Sequence, residues 1–310
     1  MNNLDFHKPV LLQEMLKNLA PKDGEVYFDG TFGAGGYSQA ILQSANCAVY
    51  AVDRDESAQN FAENLQKKFP KNFTFLRGKF SESIKLLAEK NVTELDGMVF
   101  DIGVSSMQFD DKSRGFSFDS DAKLDMRMDQ QNPLSAFEVV NEMDEEELAQ
   151  IIKEFGEEPK AKKIARKIIE ARKSQPVTSC RDLANIVRSL YFGYFKTDPA
   201  TRTFQALRIF VNQELEELKM ALASSLTLLK KDGRLVVVSF HSLEDSIVKS
   251  FLKKEGGLDQ AFSRYQPEFI QTKIHKNFHV ITKSAIAPAQ EEIAENIRAR
   301  SAKMRVAVKI

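Results

Sequence analysis

The chain has 310 residues, of which 43% are hydrophobic and 28% are charged, and these values are typical of a globular protein that buries a core. Its 44 basic and 44 acidic side chains balance, so net charge predicts no polyanionic partner, and two distant cysteines argue against a disulfide framework or a cysteine zinc site. Because the chain starts with polar residues and contains no apolar run of roughly 20 residues, we expect a cytoplasmic protein without a signal peptide or a membrane span.

Four short segments rich in β-branched and aromatic residues alternate with helical patterns in the first third of the chain. They are Glu25–Asp29, Ala48–Asp53, Phe73–Leu76 and Gly97–Asp101, and a fifth, Arg234–Phe240, follows much later. Near-continuous apolar strands that alternate with helices indicate a parallel sheet covered on both faces. The sequence therefore predicts an α/β protein with a doubly wound, Rossmann-like sheet.

The first predicted strand runs into a glycine-rich loop, Asp29-Gly30-Thr31-Phe32-Gly33-Ala34-Gly35-Gly36-Tyr37, which precedes a helix. This order lets the backbone approach a nucleotide-like ligand closely, and we expect a Cβ atom at the glycines, Gly33 included, to collide with that ligand. Asp53 ends the second strand, where an acid can accept hydrogen bonds from the ribose hydroxyls of an adenosine-type cofactor. A tight turn that binds nothing is the alternative.

Two cofactor classes use such a loop, the nicotinamide dinucleotides and S-adenosylmethionine. A dinucleotide carries a pyrophosphate, which requires glycines at the G-x-G-x-x-G spacing over the helix N-terminus. Here the spacing is Gly33-x-Gly35-Gly36. The carboxylate of Asp29 would repel a pyrophosphate but attract a sulfonium or an ammonium group. The loop therefore favours S-adenosylmethionine.

The third and fourth predicted strands lead to two more candidates. Phe80 follows the third strand, where its ring can stack on adenine or pack in the core. Asp101 ends the fourth strand, and the chemistry of open α/β sheets takes place outside the carboxyl ends of the strands. Asp101 and the loop after it are therefore expected to border the reactive site.

About 90 residues between the fourth and fifth strands contain helical patterns and no convincing strand, which is too many for an ordinary connection. The helical patterns cover Glu145–Phe155, Lys160–Lys173 and Cys180–Phe192. We predict an all-α domain, residues 108–198, inserted into a discontinuous sheet domain of residues 1–107 and 199–310. The chain is expected to return through one long amphipathic helix over Phe204–Leu226.

Two basic clusters could bind the phosphate backbone of RNA. The pattern Lys160–Lys173 carries seven basic residues and one acid, whereas the preceding Asn141–Glu158 carries eight acids and one lysine. The second cluster consists of Arg298, Arg300, Lys303 and Arg305. The alternative for the first cluster is a solvated helix attracted to its acidic neighbour.

His241 follows the fifth predicted strand in Ser239-Phe240-His241-Ser242, at the carboxyl edge of the sheet. This position makes it a candidate for chemistry, although a lone histidine is more often a structural hydrogen-bonding group. The four histidines lie far apart in sequence, so no metal site is predicted.

Eight ordered motifs resemble those of one family, the ribosomal RNA small-subunit methyltransferase H family, also called MraW, over essentially the whole chain. The motifs are His7–Leu12, Asp29–Gly33, Asp101–Ser106, Arg114–Phe118, Leu124–Met128, Thr201–Ala206, Ser239–Asp245 and Arg298–Ser301. Two departures stand out. Tyr37 occupies a position where members often have histidine, and Ile297 occupies one where proline is expected.

The resemblance implies N4-methylation of cytidine 1402 in the decoding centre of 16S ribosomal RNA, with S-adenosylmethionine as donor. It also implies that the helical insert recognises the substrate, and it allows a homodimer. The family's cofactor-binding positions carry over onto Gly35, Gly36, Tyr37, Asp53, Phe80, Asp101 and Gln108.

Methyl transfer from a sulfonium depends mainly on in-line positioning and exclusion of water, because the leaving group is neutral. The exocyclic nitrogen of cytosine is a poor nucleophile, and an acceptor for one of its N–H bonds would orient its lone pair. Asp101, or backbone carbonyls of residues 103–106, is our candidate acceptor, and pure cofactor binding is the alternative for Asp101. Phe109, Phe116 or Phe118 could stack on the unstacked base, or could anchor the insert to the sheet domain.

Three other functions stay open from the sequence. A methyltransferase of DNA or of a small molecule would leave the basic helix and the insert without purpose. Asp29 and the glycine spacing count against a dinucleotide-dependent oxidoreductase. An intact loop with Asp53 and Asp101 counts against an RNA-binding protein that retains the fold without catalysis.

Overall fold

The computed structural model describes residues 9–258 and 276–310 of the chain. His7 and Lys8, which begin the first family-like motif, therefore lie outside the described residues. In the described part of the chain, no helix is both long enough and apolar enough to cross a membrane.

The chain divides into two compact units, which we call the sheet unit and the helical unit. The sheet unit comprises residues 1–103 and 215–310, and the helical unit comprises residues 104–214. Residues 104–107 and 199–214, which are predicted as part of the sheet domain, thus fall in the helical unit. The helical unit contains helices and a single isolated β-bridge, between Lys123 and Ser179, so the inserted unit is all-α.

The described strands form one seven-stranded sheet. In chain order they are β1 (Val26–Asp29), β2 (Ala48–Asp53), β3 (Phe73–Arg77), β4 (Leu95–Asp101), β5 (Leu229–Ser239), β6 (Phe278–Val280) and β7 (Lys303–Lys309). Their order across the sheet is β3-β2-β1-β4-β5-β7-β6. Strands β1 to β5 pair in parallel, which confirms the doubly wound, Rossmann-like class. The bounds of β1 to β4 lie within two residues of the predicted ones, whereas β5 begins five residues before the predicted Arg234.

The far edge of the sheet corrects the prediction of a wholly parallel arrangement. Strand β7 pairs antiparallel with β5, from Arg234 opposite Val308 to Ser239 opposite Lys303, and β6 pairs antiparallel with β7. The segment KMRVAVK of β7 alternates between apolar and basic residues, which is the pattern of a half-buried strand. We interpreted its Lys303 and Arg305 as part of a basic cluster and did not predict the strand.

The described helices, in chain order, are α1 (Leu12–Leu19), α2 (Gly36–Ser44), α3 (Ala58–Lys68), α4 (Ser83–Ala88), α5 (Ser106–Asp110), α6 (Ala136–Glu142), α7 (Glu145–Gly156), α8 (Ala161–Arg172), α9 (Cys180–Arg188), α10 (Ala200–Asn212), α11 (Glu214–Leu228), α12 (Ser242–Glu255) and α13 (Gln290–Glu295). Both faces of the sheet are covered, because successive side chains of a strand point to opposite faces. In β4, Val99 packs in the core with α1, α2 and α3, whereas Met98 and Phe100 pack with α11 and α12.

The predicted long helix over Phe204–Leu226 is two helices. Helix α10 ends at Asn212 and α11 begins at Glu214, because Gln213 between them adopts a left-handed backbone conformation with φ 52°. The apolar spacing continues across this break, so the spacing alone did not reveal it. The three helices predicted within the insert are present as α7, α8 and α9, the last ending earlier than predicted.

Candidate active site

The carboxyl ends of β1 and β4 lie side by side at the point where the strand order reverses. From β1 the chain proceeds to β2 and β3 on one side, and β4 is followed by β5 on the other side. The backbone N–H of Gly30 donates to the carbonyl of Val99 at 2.9 Å, which ties the start of the glycine loop to β4. Open α/β sheets bind their ligands in the crevice outside such a reversal. We therefore place the candidate active site at this edge.

The glycine loop has the sharp backbone that its sequence predicts. At Gly35 and Gly36, however, packing within the protein excludes a larger residue, independently of any ligand. Gly35 precedes α2 with φ 82°, and a Cβ atom there would lie 2.7 Å from the ring of Phe32. A Cβ atom on Gly36 would lie 2.2 Å from Cγ of Pro9. The space at both positions is taken by the protein's own side chains, so internal packing already excludes larger residues, whatever a ligand demands. Gly33 also has a left-handed backbone, with φ 52°.

Asp53 is held at the tip of β2 by backbone donors. The N–H of Gly33 donates to its Oδ2 and the N–H of Asp55 donates to its Oδ1, both at 2.8 Å. Burial raises the pKa of Asp53, and these two hydrogen bonds act in the opposite direction. Each carboxylate oxygen can accept more than one hydrogen bond, so both retain capacity for hydroxyl donors. The arrangement suits the predicted contact with two ribose hydroxyls.

Asp29 is fully buried and organises the loop. The hydroxyl of Ser38 donates to its Oδ2 at 2.7 Å, and the N–H of Thr31 donates to its Oδ1 at 3.1 Å. Burial raises the pKa of Asp29 to about 6, although both hydrogen bonds lower it. Both of its oxygens are thus engaged by the loop and by the first turn of α2. Asp29 contributes charge to the site without needing to touch a ligand.

Asp101 presents an acceptor with no partner of its own. Its backbone N–H donates to Oγ1 of Thr31 at 2.6 Å, while its buried Oδ1 has no hydrogen-bond partner among the described residues. Burial raises the pKa of Asp101 to about 8, and the carboxylates of Asp29 and Glu244 add to the effect. A buried polar atom without a partner is costly. A cationic group or an N–H donor at this point would remove that cost and restore the charged carboxylate.

The side chain of Tyr37 is buried in the core, whereas that of Phe80 is partly accessible to a ligand. The phenol of Tyr37 is buried in the core and its hydroxyl donates to the carbonyl of Val10, so this side chain is committed to the fold. Any contribution of Tyr37 to a ligand would come from its backbone. Phe80 begins a 3₁₀ turn after β3, and its partly exposed ring packs against Phe100 with centroids 5.9 Å apart. Core packing therefore leaves part of the Phe80 ring accessible for stacking.

His241 sits in a reciprocal cap at the start of α12. Its Nε2 lies 2.9 Å from Oε1 of Glu244, and Oε2 of the same carboxylate accepts the N–H groups of Phe240 at 2.8 Å and His241 at 3.2 Å. Glu244 is fully buried and acts electrostatically on Asp101. Sequence reasoning missed Glu244, although an acid three residues after a capping residue is a known signal. A chemical role for His241 stays a prediction.

The remaining predicted site residues belong to the helical unit. Gln108 is buried and forms a capping box, in which its Oε1 accepts the N–H of Ser105 at 3.0 Å. Phe116 is buried in the core of the helical unit, and Phe118 packs edge-on against Phe204 there. Phe109 is 40% exposed and is the most exposed of the three phenylalanines.

The two basic clusters differ in how far they are neutralised. One face of α8 is apolar and buried, while Lys162, Lys163, Arg166 and Lys167 are exposed. The ion pair of Arg166 with Glu145 at 3.4 Å joins α8 to acidic α7. In the C-terminal cluster, Arg305 and Lys303 both bind Asp245, at 2.7 and 3.2 Å. The face of α8 is therefore the more available of the two.

Comparison with known proteins gives one consistent result. A family model described as the MraW methylase family matches residues 5–310. Ribosomal RNA small subunit methyltransferase H of Rickettsia felis is 51% identical over 305 residues, which are 98% of each chain, and that of Rickettsia akari is 50% identical over 99% of each chain. A solved rRNA methylase from Streptococcus thermophilus aligns over 96% of this chain and 95% of its own, at 9% identity and a TM-score of 0.44, too distant a likeness to bear on function.

Proposed function

The chain belongs to the MraW methylase family, and from this we propose that it transfers a methyl group from S-adenosylmethionine to N4 of cytidine 1402 in the decoding centre of 16S ribosomal RNA. Family membership makes the chain a methyltransferase, and the names of its relatives support the small-subunit ribosomal RNA as substrate. The observation that carries the assignment of the site is the buried Oδ1 of Asp101, next to the glycine loop, for which residues 9–258 and 276–310 provide no hydrogen-bond partner.

S-adenosylmethionine fits the residues at this edge of the sheet. It supplies a methyl group bound to a positively charged sulfur, and the two buried carboxyls Asp29 and Asp101 suit a cation. Asp53 accepts hydrogen bonds from ribose hydroxyls, and Phe80 offers a ring for adenine. The loop glycines Gly33, Gly35 and Gly36, the backbone of Tyr37, and Gln108 complete the set of cofactor-binding residues that we propose.

Asp101 is the residue that we propose acts on the target base. In its ionised form it accepts one N–H of the cytosine amino group, which turns the nitrogen lone pair away from the ring and toward the methyl carbon. A bound S-adenosylmethionine would supply the methyl group to this nitrogen, and the amino group would then carry positive charge. The carboxylate of Asp101 then takes the proton that the nitrogen loses. Burial raises the pKa of Asp101, and the positive charge of a bound S-adenosylmethionine would act in the opposite direction and favour the ionised form that this role requires.

The helical unit, in this proposal, recognises the RNA, and Phe109 is its candidate for stacking on the unstacked cytosine. We retain a homodimer as part of the proposal, since the resemblance allows one. Sedimentation velocity across a range of protein concentrations tests the dimer directly, and a single monomeric species at every concentration would exclude it.

Asp53→Asn is expected to weaken the binding of S-adenosylmethionine and of its demethylated product, S-adenosylhomocysteine, by about tenfold each. The two molecules share the ribose, so loss of a charged acceptor for its hydroxyls affects them equally. Isothermal titration calorimetry with both ligands measures this. Glu63→Ala, which removes an exposed carboxylate on α3, is the matched control and leaves both affinities unchanged. Equal affinities in Asp53→Asn and the control would contradict the ribose contact.

Methyl transfer is tested with methyl-labelled S-adenosylmethionine, undermethylated small ribosomal subunits and free 16S RNA, followed by nucleoside analysis. We expect label in N4-methylcytidine, and comparison of the two substrates shows which assembly state is used. Label in another nucleoside would overturn the assigned target atom while leaving the methyltransferase. Absence of label on either substrate, with cofactor binding intact, would overturn the substrate class.

A further inference from the structure

A short loop in the helical unit presents two large rings to solvent. We call Tyr191–Phe195, which follows α9, the aromatic loop. Phe192 is 89% exposed and Tyr194 is 95% exposed, and they flank Gly193, whose φ is 100°. Neighbouring aromatic side chains that stay this exposed forgo the stabilisation that burial would give them. Clusters of exposed apolar side chains commonly mark interaction sites.

The base of the aromatic loop is anchored, so the exposure of its tip does not result from a lack of local contacts. The hydroxyl of Tyr191 donates to the buried carboxylate of Glu158. The ammonium of Lys160 donates to the carbonyl of Leu190 at 2.8 Å and lies 3.8 Å from the centre of the Tyr191 ring. Phe195 packs edge-on against Tyr191, with centroids 5.5 Å apart. These contacts hold the two ends of the loop while Phe192 and Tyr194 project outward.

The surroundings of the aromatic loop are basic. Residues 190–197 contain Lys196 and no acid, and Lys160, which anchors the loop, directly precedes α8 with its exposed cations Lys162 and Lys163. Asp198, the first acid after the loop in the chain, is already paired with Arg188 at 2.6 Å, and Arg188 also binds Asp119 at 2.9 Å. Exposed rings beside exposed cations match the two chemical features of an unpaired nucleic acid strand, its bases and its phosphates.

We propose that the aromatic loop and the first turns of α8 form a binding surface for single-stranded RNA, in which bases stack on Phe192 and Tyr194 and phosphates contact Lys162 and Lys163. The choice of RNA as the nucleic acid rests on the proposed function. Stacking suits unpaired bases because every base has an exposed face, whereas the faces of paired bases are covered within a helix. A paired RNA helix could use only the cations of this surface.

The absence of tryptophan from the chain allows a direct test of stacking. Tyr194→Trp keeps an aromatic ring at the tip of the loop and makes it the single tryptophan of the protein. We expect a single-stranded RNA oligonucleotide to quench its fluorescence, and an abasic oligonucleotide of the same length to quench it far less. Binding of the RNA without any change in fluorescence would overturn the proposal.

A second pair of variants separates stacking from charge. Phe192→Ala combined with Tyr194→Ala is expected to lose at least about tenfold in affinity for single-stranded RNA, with the salt dependence of binding unchanged. Lys162→Gln combined with Lys163→Gln is expected to reduce the slope of log affinity against log salt by about one to two. Met220→Ala, at an exposed apolar residue of the sheet unit, is the control and alters neither quantity.

Cofactor affinity, measured in all variants, verifies that each one is folded. Unchanged RNA affinity in the Phe192→Ala and Tyr194→Ala double variant would overturn the proposal, and a simultaneous shift from dimer to monomer would assign the loop to self-association instead. None of these readouts requires methyl transfer. RNA binding through the loop, with methylation of a different base, would therefore refute the proposed function and leave this inference standing.

Discussion

Asp101→Asn is expected to lower the rate of methyl transfer by about 100-fold or more and at the same time to make the protein more stable at pH 8. The loss of rate is expected because asparagine cannot take the proton of the amino group, and single groups of this kind contribute roughly 100- to 1000-fold. Single-turnover rates at saturating cofactor measure this effect apart from binding. A preserved single-turnover rate, with cofactor affinity lost, would reduce Asp101 to a cofactor-binding residue.

In the same variant, the affinity for S-adenosylmethionine should fall more than the affinity for S-adenosylhomocysteine. In the proposed site the carboxylate of Asp101 attracts the positive charge of S-adenosylmethionine, whereas S-adenosylhomocysteine carries no such charge on its sulfur. Asp101→Asn is therefore expected to weaken the first ligand more than the second, in contrast to the equal losses in Asp53→Asn. Calorimetry of both variants with both ligands distinguishes contact with the charge from contact with the ribose. Equal losses in Asp101→Asn would contradict an interaction between its carboxylate and the sulfonium.

The gain in stability follows from the raised pKa of Asp101. Its pKa is about 8 in the folded protein, whereas an aspartate in an unfolded chain has a pKa of about 3.9. Between these two values the folded state retains a proton that the unfolded state releases, so Asp101 makes the folded state less stable as pH rises from 4 to 8. Asparagine does not titrate. The difference in melting temperature between Asp101→Asn and the wild type should therefore grow from pH 5 to pH 8 and then level off.

Asp245→Asn is the matched control for this pH profile. Arg305 and Lys303 hold the pKa of Asp245 below its usual value, despite the opposing effect of burial, so its charge stabilises the folded protein. Removing that charge should lower the melting temperature at neutral pH, which is the opposite sign. Parallel melting curves for Asp101→Asn and the wild type at every pH would contradict the raised pKa of Asp101.

Gly30→Ala is expected to destabilise the sheet unit by about 3 kcal/mol, the upper end of the usual cost of overpacking. A Cβ atom at Gly30 would lie 2.2 Å from Cε1 and 2.3 Å from Cδ1 of Phe100, a ring that is fully buried. Phe100 cannot move freely, because it packs edge-on against both Phe28 and Phe80. Displacement of Phe80 should also weaken cofactor binding. Thermal and urea denaturation, together with calorimetry, measure the two effects.

The double variant Gly30→Ala, Phe100→Leu tests whether the clash between these two side chains causes the loss of stability. Phe100→Leu alone should be destabilising because it leaves a gap in the core, but it should cost much less when Gly30 is already alanine. Gly24→Ala serves as the control, since its Cβ atom would meet no neighbour within 4 Å and only its φ of 80° opposes the change. Strictly additive effects of Gly30→Ala and Phe100→Leu would contradict the proposed contact.

The parallel part of the fold was predictable because each buried parallel strand contains a run of apolar residues, such as Met98–Phe100 in β4 and Leu235–Val238 in β5. Strand β7 is harder to predict, because its apolar residues alternate with basic ones that are equally typical of an exposed basic cluster. The division between α10 and α11 depends on the backbone of one residue, Gln213, and hydrophobic spacing does not encode backbone conformation.

The residues of the candidate site that lie at strand ends were predictable from the sequence. Asp53 and Asp101 each end a strand of a doubly wound sheet, and such sheets bind their ligands just outside the carboxyl ends of the strands. The sequence could not show that Phe32 and Pro9 occupy the space beside Gly35 and Gly36, because such contacts exist only after folding. For the same reason the influence of Glu244 on Asp101 could not be predicted from sequence spacing.

The position of the helical unit between β4 and β5 has a consequence for the order of folding. Val99 of β4 pairs with Val236 of β5, well over 100 positions later in the chain. Joining two segments through an unfolded connection of that length costs about 4 kcal/mol of chain entropy. A connection that has already folded into a compact body is effectively shorter and reduces this cost. We therefore expect the helical unit to gain protection from hydrogen exchange during refolding before the central pairing of β4 with β5 does.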